Sequence, residues 1–173
     1  ANGSGTVVVP ETNNDVPDIL DETKVELDWM MKMVVSSSDP YWGKYEGLVY
    51  HKLHDHKWTG LAVRPNDYES TWGTTRIVKP PSFAATLNFV ACAAQAARLW
   101  EDIDPAYAKT CLDAAKKSYE AYKKNFYEYT PAEATNKTSL YAPLDQAIGG
   151  GAYGDTNVKD DAYWAACELY ATT

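Results

Sequence analysis

The sequence predicts an all-α fold: four amphipathic helices joined by long, aromatic-bearing connections. Apolar residues recur near helical spacing in four separate segments, each with recognisable start or stop residues. Very little of the chain alternates apolar and polar residues as a half-buried strand would. The connections between the helical segments are long, whereas a plain bundle uses short ones. Long loops on one side of antiparallel helices are what a helical barrel or toroid with a binding face shows. No internal repeat of fixed period is present, and residues 1–173 read as one compact domain or a large part of one.

The elements follow in order. Residues 1–16, rich in Gly, Asn, Thr and Val, read as a loop or short extended arm. Pro17-Asp18 opens a helix expected to reach about Val35. Asp18, Asp21 and Glu22 fill its start, where carboxylates favour the open N–H groups and the positive dipole end. Leu20, Leu27, Met30 and Val34 give it a stripe for burial, and Ser36-Ser37-Ser38-Asp39-Pro40 stops it. Glu46 to Leu53 reads as a strand. A long loop with Asp67, Trp72, Gly73 and Arg76 follows, and loops of this length in compact domains are functional or disordered. Its Trp and Tyr content favours function.

A second helix follows Pro80-Pro81-Ser82 and runs to about Trp100. Its middle, Ala91 to Ala97, is small on all sides and suited to close packing. Asp104-Pro105 caps and opens a third helix to about Lys124, with Lys109, Lys116, Lys117 and Lys123 on its solvated face. The Tyr-rich stretch 126–141 leads into Gly149-Gly150-Gly151. A last helix begins near Lys159 and runs to the end, offering Trp164, Cys167 and Leu169 for burial. It has no Gly or Pro terminator, which reads as truncation.

A net charge of −8 argues against a nucleic-acid partner, since phosphate binding needs clustered Lys and Arg. No apolar run reaches the roughly 18 residues of a membrane span. Phosphate-binding glycine patterns are missing too. Ala1 to Gly5 has neither basic start nor apolar core, so the protein is cytosolic or the chain begins downstream of a targeting signal. Cys92, Cys111 and Cys167 lie far apart in Ala-rich apolar stretches and read as small core residues. The unusual feature is 13 Tyr and 6 Trp against 3 Phe. Rings with a flat apolar face and a polar edge suit sugar clefts as well as ordinary interfaces.

Three constellations could carry chemistry. His51-Lys52-Leu53-His54-Asp55-His56 holds all three histidines. In an extended chain His54 and His56 share a face and His51 points the other way. The two could bind a metal with a remote carboxylate, lie on an exposed polar strand, or bind a ligand beside Trp58. Asp18, Asp21 and Glu22 resemble paired catalytic carboxylates, but first-turn acids behind Pro17 need no catalytic explanation. The third group follows the glycines: Asp155, Thr156, Asn157, Asp160 and Asp161 could converge on a hard cation or simply cap the last helix.

Taken in order, several segments resemble the catalytic module of family 9 glycoside hydrolases. They are Pro17-Asp18-Ile19-Leu20-Asp21-Glu22, Leu27 to Met33, Val49-Tyr50-His51-Lys52, Asp55-His56-Lys57-Trp58-Thr59-Gly60, Pro81 to Phe89, Gln95 to Trp100, and Gly154 to Thr173. The resemblance implies an (α/α)6 barrel of which this chain supplies about a third. It implies a secreted cellulase that hydrolyses β-1,4-glucan with inversion, acting on cellulose or cello-oligosaccharides. The family's base motif precedes the Pro17 helix, and its acid motif follows the segment ending at Thr173. Neither is found here, so no catalytic residue is assigned. The resemblance further implies that His56, Trp58 and Tyr153 face sugar. It also implies that Asp155, Thr156, Asn157, Asp160 and Asp161 hold a structural calcium, and that the partners include the remaining segments of the same barrel. The rival reading is a non-catalytic helical carbohydrate-binding or interaction module.

Overall fold

The computed structural model describes residue 10 and residues 14–55, 63, 64, 66, 67, 76–128 and 157–173. Four helices account for most of these. They are α1 (Asp18–Lys32), α2 (Phe83–Trp100), α3 (Pro105–Glu128) and α4 (Lys159–Thr172). Between α1 and α2 lie a 3-10 turn (Gly43–Tyr45) and four short strands: β1 (Val49–Tyr50), β2 (Leu53–Asp55), β3 (Arg76–Val78) and β4 (Pro81–Ser82).

The centre of the structure is α2, for a reason visible in its composition. Ser82 caps it, its hydroxyl accepting the Ala85 N–H at 3.2 Å. Behind the cap, Phe83, Leu87, Phe89, Val90 and the alanines at 91, 93, 94, 96 and 97 are all buried. Small side chains let neighbouring helices approach on several sides, so burial covers most of the helix and leaves open only a strip through Asn88, Cys92, Gln95 and Leu99. At one end Phe83 meets Tyr122 and Phe126 edge-on at 5.5 and 5.6 Å. At the other, Trp100 meets Tyr107 edge-on at 5.1 Å. α3 therefore runs antiparallel to α2. Leu27 of α1 packs with Ala96, Ala97 and Trp100, while Met33 just beyond α1 packs with Phe83, so α1 is antiparallel as well. α4 runs parallel to α2: Asn88 donates to Asp161 at 3.1 Å, and farther along Arg98 pairs with Glu168 at 2.7 Å.

Three expectations are corrected. First, α1 ends at Lys32 and not near Val35. Met33 caps the helix and Val34 bridges to Val49, with Tyr50 N–H on Met33 O, Val35 N–H on Leu48 O, and Gly47 N–H on Val35 O at 2.8–3.1 Å. Second, the strand expected over 46–53 is a broken ribbon. Val49 pairs with Ser82, Tyr50 with Pro81, Leu53 with Val78, His54 with Ile77 and Asp55 with Arg76, all in one antiparallel register. His51 N–H reaches Pro80 O at 3.0 Å, but Pro80 has no N–H to return, which interrupts the ladder. Third, only Cys111 is a fully buried thiol; Cys92 is half-buried and Cys167 is exposed. Trp164 is also on the exposed side of α4, and Ala165, packed with Ala162 and Leu169, is what meets the core. The alanine face of α2 has room for a methyl group and not for an indole.

Candidate functional site

The helix directions place the attachment points of the long connections at one end. The C-terminal ends of α1 and α3 and the N-terminal ends of α2 and α4 share one end of the stack. The connections 33–82 and 129–158 both attach there, and the short turn 101–104 lies at the opposite end. His56, Trp58, Tyr153, Asp155 and Thr156 belong to these two connections but lie outside the described residues.

The ribbon rises from this end. Within each short ladder successive residues alternate faces, so Val49 and Tyr50 point apart, as do Leu53 and His54, while the chain bends at His51 between the two. His51 Nδ1 lies 2.8 Å from the Ser82 hydroxyl, which ties the ribbon to the cap of α2. Lys52 and Lys79 occupy opposing positions, and burial followed by the Lys79 charge lowers the Lys52 pKa. Among the described residues no three His, Cys, Asp or Glu side chains gather as a metal site. The His54–His56 metal reading rests on His56, which lies outside the described residues.

At α4, Val158 is the capping residue and provides no side-chain cap. Instead Asn157 Oδ1 accepts the Lys159 N–H at 3.3 Å. Asp160 is exposed in the first turn, and Asp161 accepts the Asn88 amide. At the start of α1, Asp18 and Asp21 are buried and Glu22 is exposed. Asn14 donates to Asp21 at 3.1 Å while its own carbonyl accepts the Val16 N–H at 2.9 Å. These contacts organise the entry to the helix, in keeping with a structural role.

Sequence reasoning missed the turn that follows α1. Asp39, read only as part of a helix stop, accepts the N–H groups of Tyr41 at 2.8 Å and Trp42 at 2.7 Å, and the Tyr50 hydroxyl as well. The Tyr50 bond, then the two N–H groups, hold the Asp39 carboxyl below its ordinary pKa. Burial, then the bond to Asp39, pushes Tyr50 up to about 12. A signal was present in the sequence: Asp two and three residues before a free N–H is the Asx-turn pattern, and Pro40 pre-sets the next φ.

With this geometry the comparisons with known proteins agree. The glycosyl hydrolase family 9 model matches residues 4–173. The chain belongs to glycosyl hydrolase family 9. Endoglucanase C of Cellulomonas fimi is 47% identical over 169 residues, covering 98% of this chain and 14% of that protein. A cellulose 1,4-beta-cellobiosidase of Acetivibrio thermocellus is 42% identical over 173 residues, covering 98% of this chain and 17% of its own length. Among solved structures, a metagenome-derived family 9 endoglucanase superposes with a TM-score of 0.73 at 32% identity, over 95% of this chain and 26% of that one. The chain thus spans between about a seventh and a quarter of these relatives. Its four helices form part of the (α/α)6 barrel of family 9.

Proposed function

We propose that this chain builds one wall of the sugar cleft in an extracellular family 9 hydrolase that cleaves β-1,4-glucan with inversion. The observation that supports this reading is that both long connections attach at one end of the family 9 helix stack. Those connections contain His56, Trp58 and Tyr153. An indole face can cover the apolar C–H surface of a pyranose, and imidazole and phenol can hydrogen-bond its hydroxyls. The acid and base carboxylates of inversion stand far enough apart to admit a water, and both come from outside residues 1–173. Within this chain the residues bind and orient; they do not transfer the proton.

A structural calcium at the start of α4 belongs to the same proposal. Asp155, Thr156, Asn157, Asp160 and Asp161 offer carboxylate, hydroxyl and amide oxygens, the hard donors calcium takes. Side chains at 160 and 161 diverge by about 100° on a helix. Asp161 indeed turns toward Asn88 while Asp160 is exposed. Side chains of the first turn alone therefore do not enclose an ion, and further oxygens from 155–157 and beyond Thr173 would complete it. Its role would be to pin the connection that carries Tyr153.

The test is expression of the whole module containing these residues, with product analysis on cello-oligosaccharides by proton NMR. The expected first product is the α-anomer. Early β-anomer would overturn inversion, and no reducing sugar from any β-1,4-glucan would overturn the hydrolase reading.

A further inference from the structure

We propose that Tyr41 and Trp42 form an aromatic platform for the glucan chain, an outer subsite of the cleft. The platform rests on the hydrolase reading above but stands on its own geometry. Tyr41 is 83% exposed, unusual for a large ring in an ordered turn. The turn beneath it is fixed from several directions. Asp39 holds the Tyr41 and Trp42 N–H groups on one carboxylate oxygen and the Tyr50 hydroxyl on the other. Gly43 N–H closes back on Asp39 O at 3.0 Å, and a Cβ at Gly43 would stand 2.6 Å from Ser37 O. Trp42 stacks on Tyr45 with centroids 6.0 Å apart and planes 28° apart, and Tyr45 packs on the main core. Glu46, next along the chain, pairs with Lys117 of α3 at 2.7 Å.

Such a ring is presented and not merely left over. A ring on a backbone already fixed leaves only its own side-chain torsions to be ordered when a ligand stacks on it, which makes each square ångström of contact more effective. The turn's charges are engaged within the protein: Lys44 lies over the Tyr45 ring at 4.6 Å and Glu46 is paired. What remains for a ligand is flat apolar surface with phenol and indole edges, the chemistry that suits a neutral sugar ring. The position fits as well. The turn sits at the end of the helix stack where both long connections attach, and the Asp39–Tyr50 bond ties it to the first strand of the ribbon.

The experiment compares wild type, Tyr41→Ala and Tyr41→Phe of the whole module on cello-oligosaccharides of increasing length. Kinetics and calorimetric Kd are measured on the same samples. Tyr41→Ala is expected to raise KM and Kd for the longest oligosaccharide on the order of 3- to 10-fold. Its kcat, its melting temperature and its KM on the shortest hydrolysable substrate should stay at wild-type values. Tyr41→Phe keeps the ring and should keep the affinity. Unchanged Kd for the longest oligosaccharide would overturn the platform. So would an equal loss at every length, or a Phe variant as weak as the Ala variant. Absence of turnover in the wild type overturns the hydrolase reading instead, and the Kd comparison still decides the platform.

Discussion

At the scale of single residues, Asp39 and Tyr50 show how one carboxylate organises a turn. The lowered Asp39 pKa means that its stabilising contacts are complete above the ordinary carboxylate range and are lost as pH falls through the lowered folded value. The raised Tyr50 pKa gives the opposite limb: its contribution is complete below the usual phenol value near 10 and fades as pH climbs toward about 12. Fluorescence of Trp42 in a module carrying no other changes should therefore report loosening of the turn at both acid and alkaline extremes. Asp39→Asn should weaken the acid limb. A signal equally pH-sensitive in Asp39→Asn would assign the acid transition elsewhere. Trp58 belongs to the same scale. Trp58→Ala in the whole enzyme should weaken oligosaccharide binding by on the order of tenfold with little change in melting temperature. Unchanged binding, or collapse of the fold, would make Trp58 structural.

Among the elements, α2 depends on a small buried polar relay. The Thr86 hydroxyl accepts the Val49 N–H at 2.9 Å and donates to Ser82 O at 2.7 Å, joining the first strand of the ribbon to the first turn of the helix. Thr86→Val preserves shape but strands a buried N–H and should cost about 1–3 kcal/mol in thermal or denaturant unfolding of the module. Thr86→Ser should cost less, and equal losses would mean that packing and not the hydroxyl matters. Gly47 shows a second constraint. Its φ of +89° favours glycine, and a Cβ there would meet the Ala121 methyl at 2.9 Å, so this turn can seat against α3 only with glycine. The start of α4 carries the calcium prediction. Calorimetric titration of the whole module should show calcium binding that Asp160→Ala weakens at least tenfold. Equal affinity with and without Asp160 would reduce the cluster to a helix cap.

For the whole molecule, the proposed reading places both catalytic carboxylates outside residues 1–173, and its consequence is direct. Purified residues 1–173 should show no turnover of soluble cello-oligosaccharides, because removing the acid and base removes the chemistry itself and not just affinity. Turnover that a substitution inside this chain abolishes would overturn that expectation. The four helices were legible in the sequence, since Pro17, Pro80-Pro81-Ser82, Asp104-Pro105 and the acids at 160 and 161 mark their starts through local backbone chemistry. Family membership was legible in the same way, from short motifs in a fixed order. The end of α1 was not. Nothing local distinguishes Met33-Val34-Val35 from helix until Leu48 and Val49 arrive to pair with them.

Of the candidate site, the sequence named residues on the two long connections, and the fold set the attachment points of both at one end of the stack. The turn at Asp39 escaped notice because its meaning lies in Tyr50, a partner eleven positions away that only the ribbon brings near. The outward orientation of Trp164 and Cys167 has the same origin: helical periodicity allows several faces, and the neighbour already in place selects among them. By itself the sequence determined helix starts, the all-α class and the family, because capping, proline geometry and motif order act over a few residues. Only the tertiary structure decided where α1 stops, how the ribbon registers and which face of α4 is buried. Those outcomes depend on hydrogen bonds and packing between segments far apart in the chain, where local propensity is outweighed by burial and by the need to pair every buried polar group.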